Sequence, residues 1–270
     1  MHFATARLTG GDAEVAYDLT GSGPAVVLIH GTAAGRDQWA ALTAEIADRY
    51  TVLALDYSGS GDTVDHGGPL TVADLAAEVR AAADHAGLDE FHLVGHSLGA
   101  VVAAHLAGTA PDRVHSLLMH AGWVRTDTRM DAEFRHWIDL LRADAAHGTT
   151  LFARALPLLA FGPRYWERAT AEDNEALVEQ LAGAIARGAA RQTEVDRNVD
   201  LTDLLGRIIA PTLVLASAHD RVVPATQQQR LLAAIADARY AEIDAGHGAP
   251  GEDPAGFHAK IVGFLDEQSA

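Results

Sequence analysis

The 270-residue chain contains no cysteine. Disulfides, thiol catalysis and thiolate-held metal are thereby excluded. Cationic side chains are also scarce: Lys260 is the only lysine, and 20 Lys and Arg stand against 37 Asp and Glu, a formal net charge of −17. Such a surface repels nucleic-acid phosphates and anionic membranes, so neither is expected as a partner. No apolar run approaches the roughly 20 residues needed to span a bilayer. The opening MHFATARLTGGDAEVAYDLTG alternates polar and apolar residues and lacks the basic-then-apolar order of a secretion signal. It reads as strand, and a cytoplasmic location is the default expectation. The histidines show no HExxH or paired helical spacing, so no metal is expected. GTAAG and GSGDT are glycine-rich, yet neither has the Walker lysine or the GxGxxG spacing, so no nucleotide cofactor is expected either.

What is present is enough hydrophobic residue, 49% of the chain, to bury the core of one α/β domain. Two alternating strands, Phe3 to Leu8 and Ala13 to Asp18, meet at a GG pair, and the buried strand AVVLIH follows. Strands and helices then take turns: helix near Asp37 to Asp48, strand Thr51 to Asp56, helix Thr71 to Ala86, strand Phe91 to Val94, helix Leu98 to Ala107, strand Val114 to His120. This rhythm predicts a mostly parallel central sheet with helices on both faces. From about Arg125 to Gly206 only helical periodicities occur, and Pro157 is expected to bend or end one of those helices. Alternation resumes with a strand at Thr212 to Ser217, a helix at Ala225 to Ala236, a strand at Arg239 to Ile243 and a last helix from about Pro254 to Glu267. The organisation expected is therefore a core in two parts, residues 1–124 and 207–270, with a helical cap inserted at residues 125–206. A cap there lies over the carboxyl edge of the sheet, where ligands bind in such folds.

One stretch carries the chemistry. In FHLVGHSLGAVVAAHLA, Ser97 falls where an apolar β-favouring run gives way to an alanine-rich helical one, between Gly95 and Gly99. The glycines remove Cβ atoms where strand and helix crowd together, and the turn holds the hydroxyl above the sheet. A serine hydroxyl is a weak nucleophile near neutral pH and needs a base, usually a histidine held by a carboxylate. LVLASAHDRVVP places Asp220 just past one late strand, and YAEIDAGHGAP places His247 just past the last. Asp220 has a rival role as a helix cap, and Asp127, near the strand before the cap, is the alternative acid. His219 and His258 are the rival bases, His258 reading as a helix-face residue. His30 and His96 are expected to organise the turns around the site.

With HG at His30 and Gly31, DYSGSG at Asp56 to Gly61, GHSLG at Gly95 to Gly99, HDRVVP at His219 to Pro224 and GH at Gly246 and His247, the chain resembles the α/β-hydrolase superfamily over essentially its full length. The resemblance implies a serine, acid, histidine order met by Ser97, Asp220 and His247. It also implies two backbone donors for a developing oxyanion: the N–H of Leu98 and that of Thr32, or alternatively Ala33. Thr32 can add its hydroxyl as a further handle. A serine in the turn argues against the dehalogenase and epoxide-hydrolase branches, which carry aspartate there. Family members often have arginine in D-x-R-G-x-G, whereas this chain has Ser58, which removes a common structural cation beside the site.

The layout is similar to that of enol-lactonases, small esterases, cofactor-free haloperoxidase-like enzymes and the hydrolases and thioesterases of bacterial secondary metabolism. The substrate expected is a medium-sized, largely apolar ester, lactone or thioester, opened through an acyl-enzyme. Of eight aromatic residues available to the cap and its surroundings, Trp123, Trp137, Phe161 and Trp166 are the pocket candidates, with most of the eight expected to form the cap's own core. Two other classes compete: a lyase or cyclase using the same residues, and a ligand-binding protein that retains them.

Overall fold

The computed structural model describes residues 1–269. Eight strands form one sheet in the order β1-β2-β4-β3-β5-β6-β7-β8. The first two, β1 (His2–Leu8) and β2 (Gly11–Gly21), are antiparallel, and β2 also runs antiparallel to β4 (Thr51–Leu55). The remaining neighbours, β4, β3 (Ala25–Ile29), β5 (Phe91–His96), β6 (Val114–His120), β7 (Thr212–Ser217) and β8 (Ala238–Ile243), are parallel. β1 alternates exposed and buried residues because one face meets solvent, whereas every residue of β5 is buried, as expected of a central parallel strand covered on both sides.

Helices α1 (Ala40–Ile46) and α11 (Pro254–Ser269) cover one face, where Trp39, Leu42, Ile46, Phe257 and Ile261 form a buried cluster. On the other lie α2 (Val72–His85), α3 (Leu98–Thr109) and α9 (Ala225–Ala234). Ten of the twelve residues of α3 are buried, so this helix is apolar all round and packs as a core element rather than an amphipathic one.

Between β6 and β7 lies a helical region of five helices: α4 (Thr128–His147), α5 (Leu151–Ala160), α6 (Pro163–Arg168), α7 (Ala171–Ala184) and α8 (Ala189–Arg197). Of the two expectations for Pro157, ending the helix does not occur at it: α5 continues through it to Ala160, and the Pro157 carbonyl still accepts from Phe161 N–H. One local expectation is corrected. The helix expected from Asp37 to Asp48 is a 3-10 turn, Arg36–Trp39, followed by the shorter α1. β5 also runs two residues further than the apolar pattern indicates, because Gly95 and His96 pair with Met119 and His120 of β6, and Gly95 also with Ile29 of β3. A short helix, α10 (Ala249–Glu252), follows β8.

Candidate active site

Strand β3 is where the chain order reverses, with β4 on one side and β5 on the other. The loops leaving β3 and β5 therefore diverge beside each other and open a crevice at the strands' carboxyl ends. The register Ile29 to Gly95 sets the loop beginning at His30 against the turn at Ser97.

Ser97 has φ 54 and ψ −121, a conformation in which a side chain is strained and which packing must hold in place. Its N–H donates to the His120 carbonyl at 2.9 Å, and its own carbonyl accepts from Ala100 N–H at 2.9 Å. The flanking glycines are steric necessities. A Cβ on Gly95 would lie 2.5 Å from the Gly99 carbonyl carbon, and one on Gly99 would lie 2.5 Å from the His30 oxygen.

Three strand ends meet here. His247, past β8, has Nε2 3.0 Å from Ser97 Oγ and Nδ1 2.9 Å from Asp220 Oδ2, past β7. Asp220 Oδ1 accepts from the N–H groups of Val222 and Val223, both at 2.8 Å, so the carboxylate is fixed by three donors. An ionised Asp220 keeps the proton on His247 Nδ1 and leaves Nε2 bare toward the serine. Only 8% of Ser97 and 6% of His247 is exposed, which strengthens electrostatic interactions among these groups.

The N–H of Leu98, first in α3, has no hydrogen-bond partner among the described residues, and neither has that of Thr32. Ala33 differs: its N–H donates to Gln192 Oε1 at 2.9 Å. The rival residues have other employment. Asp127 caps α4, accepting from Met130 N–H; His219 contacts Asp244 and His258 contacts Glu45, each at 2.9 Å. His30 stacks on Tyr57 at 3.9 Å with Nδ1 2.8 Å from the Gly31 carbonyl, and burial pushes its pKa down to about 4. His96 pairs with His120, Nδ1 to Nδ1 at 2.8 Å, and His120 Nε2 is 2.9 Å from Ser217 Oγ. Burial lowers both, His120 to about 3, so the pair is two neutral imidazoles, one donating to the other.

The four aromatic candidates separate. Trp123 and Trp137 belong to a continuous series, Trp123–Phe134–Trp137–Phe152, with ring centroids 5.9, 5.5 and 5.4 Å apart, and both are at least 95% buried. Phe161 lies against the His247 loop, its ring 3.5 Å from where a Gly248 Cβ would be, and its carbonyl accepts from Trp166 Nε1 at 3.2 Å. Trp166 is 37% exposed. The inserted helical region touches this loop through its backbone as well: Gly248 N–H donates to the Ala160 carbonyl at 2.7 Å, and Glu252 Oε2 accepts from both Gly162 and Gly246.

Sequence reading missed two residues one turn apart on α8. Gln192 accepts from Ala33 and donates to the Ser58 carbonyl and Ser60 Oγ. Asp196 Oδ2 lies 2.7 Å from Thr32 Oγ1. The available signal was polar residues at i and i+4 on a face whose other members, Ala189 and Val195 among them, are buried. The cation missing at Ser58 is also supplied from elsewhere: Arg36 binds Asp56, Asp18 and Asp62, while Ser58 is bound to Glu78 through both its N–H and its hydroxyl.

Residues 24–254 match the family model described as the alpha/beta hydrolase fold. The chain belongs to the α/β-hydrolase family. It is 35% identical over 258 residues to the pyrrolizixenacetamide deacetylase of Xenorhabdus hominickii, covering 94% of this chain and 96% of that protein. A thermophilic esterase from Thermogutta terrifontis superposes with a TM-score of 0.86 at 25% identity, covering all of both chains. The enol-lactonase from Burkholderia xenovorans LB400 shares the fold with a TM-score of 0.83 at 24% identity, covering 97% of this chain and 99% of that one. This is an α/β-fold hydrolase, and no helix among the described residues is long and apolar enough to cross a membrane.

Proposed function

We propose that this hydrolase cleaves small acyl substrates through a serine-bound acyl intermediate, with Ser97 as nucleophile, His247 as general base and acid, and Asp220 as the carboxylate that orients the imidazole. The observation that carries the reading is the unbroken series Ser97 Oγ, His247 Nε2, His247 Nδ1, Asp220 Oδ2, with separations of 3.0 and 2.9 Å. Ser97 Oγ attacks the acyl carbon while its proton passes to His247 Nε2. The carbonyl oxygen, now negative, is received by the N–H groups of Leu98 and Thr32, which have no other partner among the described residues, whereas Ala33 is engaged by Gln192. His247 returns the proton to the leaving group, and water activated at the same nitrogen releases the acid.

The leaving group is bound through oxygen, sulfur or nitrogen. Esters, lactones and thioesters follow from the site's chemistry, and the similarity to a protein named as a deacetylase of an acetamide adds N-acyl compounds. Residues 125–206 act as the cap, with Phe161 placed against the His247 loop, while Trp123 and Trp137 belong to the packed aromatic series. The test is intact-protein mass after a fluorophosphonate probe, followed by p-nitrophenyl esters and acetanilides of increasing acyl length. A single adduct lost in Ser97→Ala and strongly slowed in His247→Ala, with turnover, is expected. Neither labelling nor turnover, with the fold intact, would refute the reading.

A further inference from the structure

Asp196 is a fully buried carboxyl that the reaction above does not use. It sits on α8, and its Oδ2 meets Thr32 Oγ1 at 2.7 Å, while Oδ1 is buried with no hydrogen-bond partner among the described residues. Its backbone carbonyl accepts from the Thr126 hydroxyl, which in turn receives Trp123 Nε1–H, so the residue is tied to both the cap and the oxyanion loop. One turn earlier, Gln192 holds the next residue of the same loop, Ala33.

We propose that Asp196 is a positioning residue for acyl transfer: from the cap it holds Thr32, and the loop is ready for substrate when the carboxyl donates its own hydrogen to the Thr32 hydroxyl. In that form the hydroxyl's hydrogen is released from Asp196 and can turn toward an oxygen bound at the Thr32 N–H. In the ionised form the hydroxyl must donate into the carboxylate, and a negative charge stands behind the loop where negative charge develops. The inference rests on the acyl-transfer reading of Ser97.

The surroundings favour the neutral form. A buried carboxylate with one donor is starved of hydrogen bonds, and burial pushes the Asp196 pKa up to about 8. The charged and titratable groups around it do not reverse this. From the loop after β4, Tyr57 presents its ring, with its hydroxyl spent on the His30 carbonyl, and Asp56 is paired with Arg36. From the loop after β3, His30 lies behind Tyr57 and is held neutral by burial. Glu78 of α2 adds no cation; it is itself buried and pushed up to about 7. Glu194 and Arg197 of α8 pair with each other and with Arg142 and Asp131 of α4.

The test is the pH dependence of kcat/KM on p-nitrophenyl acetate for the wild type, Asp196→Asn and Glu78→Gln. Wild type is expected to lose activity as pH rises through about 8. An asparagine amide donates to Thr32 at every pH, so the ratio of the rate at about pH 9 to that at about pH 6.5 should rise by about tenfold relative to wild type. Glu78→Gln should keep the wild-type limb. A limb unchanged in Asp196→Asn, or lost in Glu78→Gln, would overturn the assignment. Should Asp196→Asn fail to fold, infrared titration in the Glu78→Gln background decides: a protonated-carboxyl band lost with the kinetic midpoint supports it, and no such band at about pH 7 refutes it. Wild type without turnover at any pH removes the acyl-transfer reading and this inference together; turnover with an unchanged limb removes this inference alone.

Discussion

Replacing Asp220 by asparagine changes one group of the relay and reverses the direction of its protons. Asp220 Oδ1 accepts from Val222 and Val223 N–H, and Oδ2 accepts from His247 Nδ1. Asparagine has one oxygen for these two tasks. Kept on the backbone side, the oxygen preserves both 2.8 Å bonds and turns an N–H toward His247, whose ring must then accept at Nδ1 and carry its hydrogen on Nε2. That hydrogen points at Ser97 Oγ, where a bare nitrogen is required. The flipped amide would instead leave two backbone donors facing a donor, at about 1–3 kcal/mol each, so the first arrangement wins. The same tautomer reversal in a serine-protease triad lowers kcat about 10⁴-fold, equivalent to about 5 kcal/mol of barrier at ~1.36 kcal/mol per tenfold. Stability should change little, because three hydrogen bonds remain: Tm is expected within about 4 °C of wild type, the shift that about 1 kcal/mol gives in a chain this long. Steady-state ester hydrolysis and a thermal melt measure the two quantities. A folded Asp220→Asn protein retaining activity within about tenfold of wild type would refute the relay.

Three further outcomes are expected. Gly99→Ala places a methyl 2.5 Å from the His30 carbonyl oxygen and 2.7 Å from the Ile29 carbonyl carbon, so α3 must retreat with the Leu98 N–H. Ester turnover should fall about 10²-fold or more, with about 1–3 kcal/mol of stability lost in urea titration. Gln192→Ala strands the buried Ala33 N–H and should lower stability by about 1–3 kcal/mol, with kcat falling more than KM rises; a KM effect alone would argue against a role in loop position. Glu78 and Asp196, with folded pKa values raised by burial to about 7 and about 8, remain protonated where an unfolded carboxyl is ionised. Their contribution to stability is complete below about pH 4 and is lost as pH rises toward 7 to 8, so the urea midpoint of wild type should fall across that window more steeply than that of Glu78→Gln.

The legible part of this protein is the part with local cause. Apolar runs bounded by polar turns mark β3 to β7 because each is buried on both faces, and Ser97 stands out because two glycines and a change of periodicity coincide at it. Asp220 and His247 are readable because each follows a strand at the sheet's carboxyl edge, and their place in the chain matches a known order. The rest depends on contacts that no window of sequence contains. Gln192 reaches Ala33 across 159 positions and Asp196 reaches Thr32 across 164. His120 meets His96 because β5 and β6 pair in that register, which the sequence of neither strand specifies. Trp123 and Trp137 read equally as pocket and as packing, since an aromatic ring at helical spacing suits both until its neighbours are known.

Helix α8 belongs to the inserted region by order along the chain and to the core by attachment. Just before it, Ala186 N–H donates to the Ala33 carbonyl, and Gly188 N–H donates to that of Gly59, so close that neither glycine has room for a side chain. The segment free to diverge, or to be exchanged between relatives, thus ends before residue 186. A chimera importing residues 125–184 keeps α8 and its bonds to Thr32, Ala33 and Ser58 while replacing the Thr126 and α4 contacts that brace it, and is expected to alter substrate range with a smaller loss of activity than a chimera that also replaces α8. Moving the joint to residue 206 imports a foreign α8 as well, and the catalytic loop must then fit a partner with which it has no shared history.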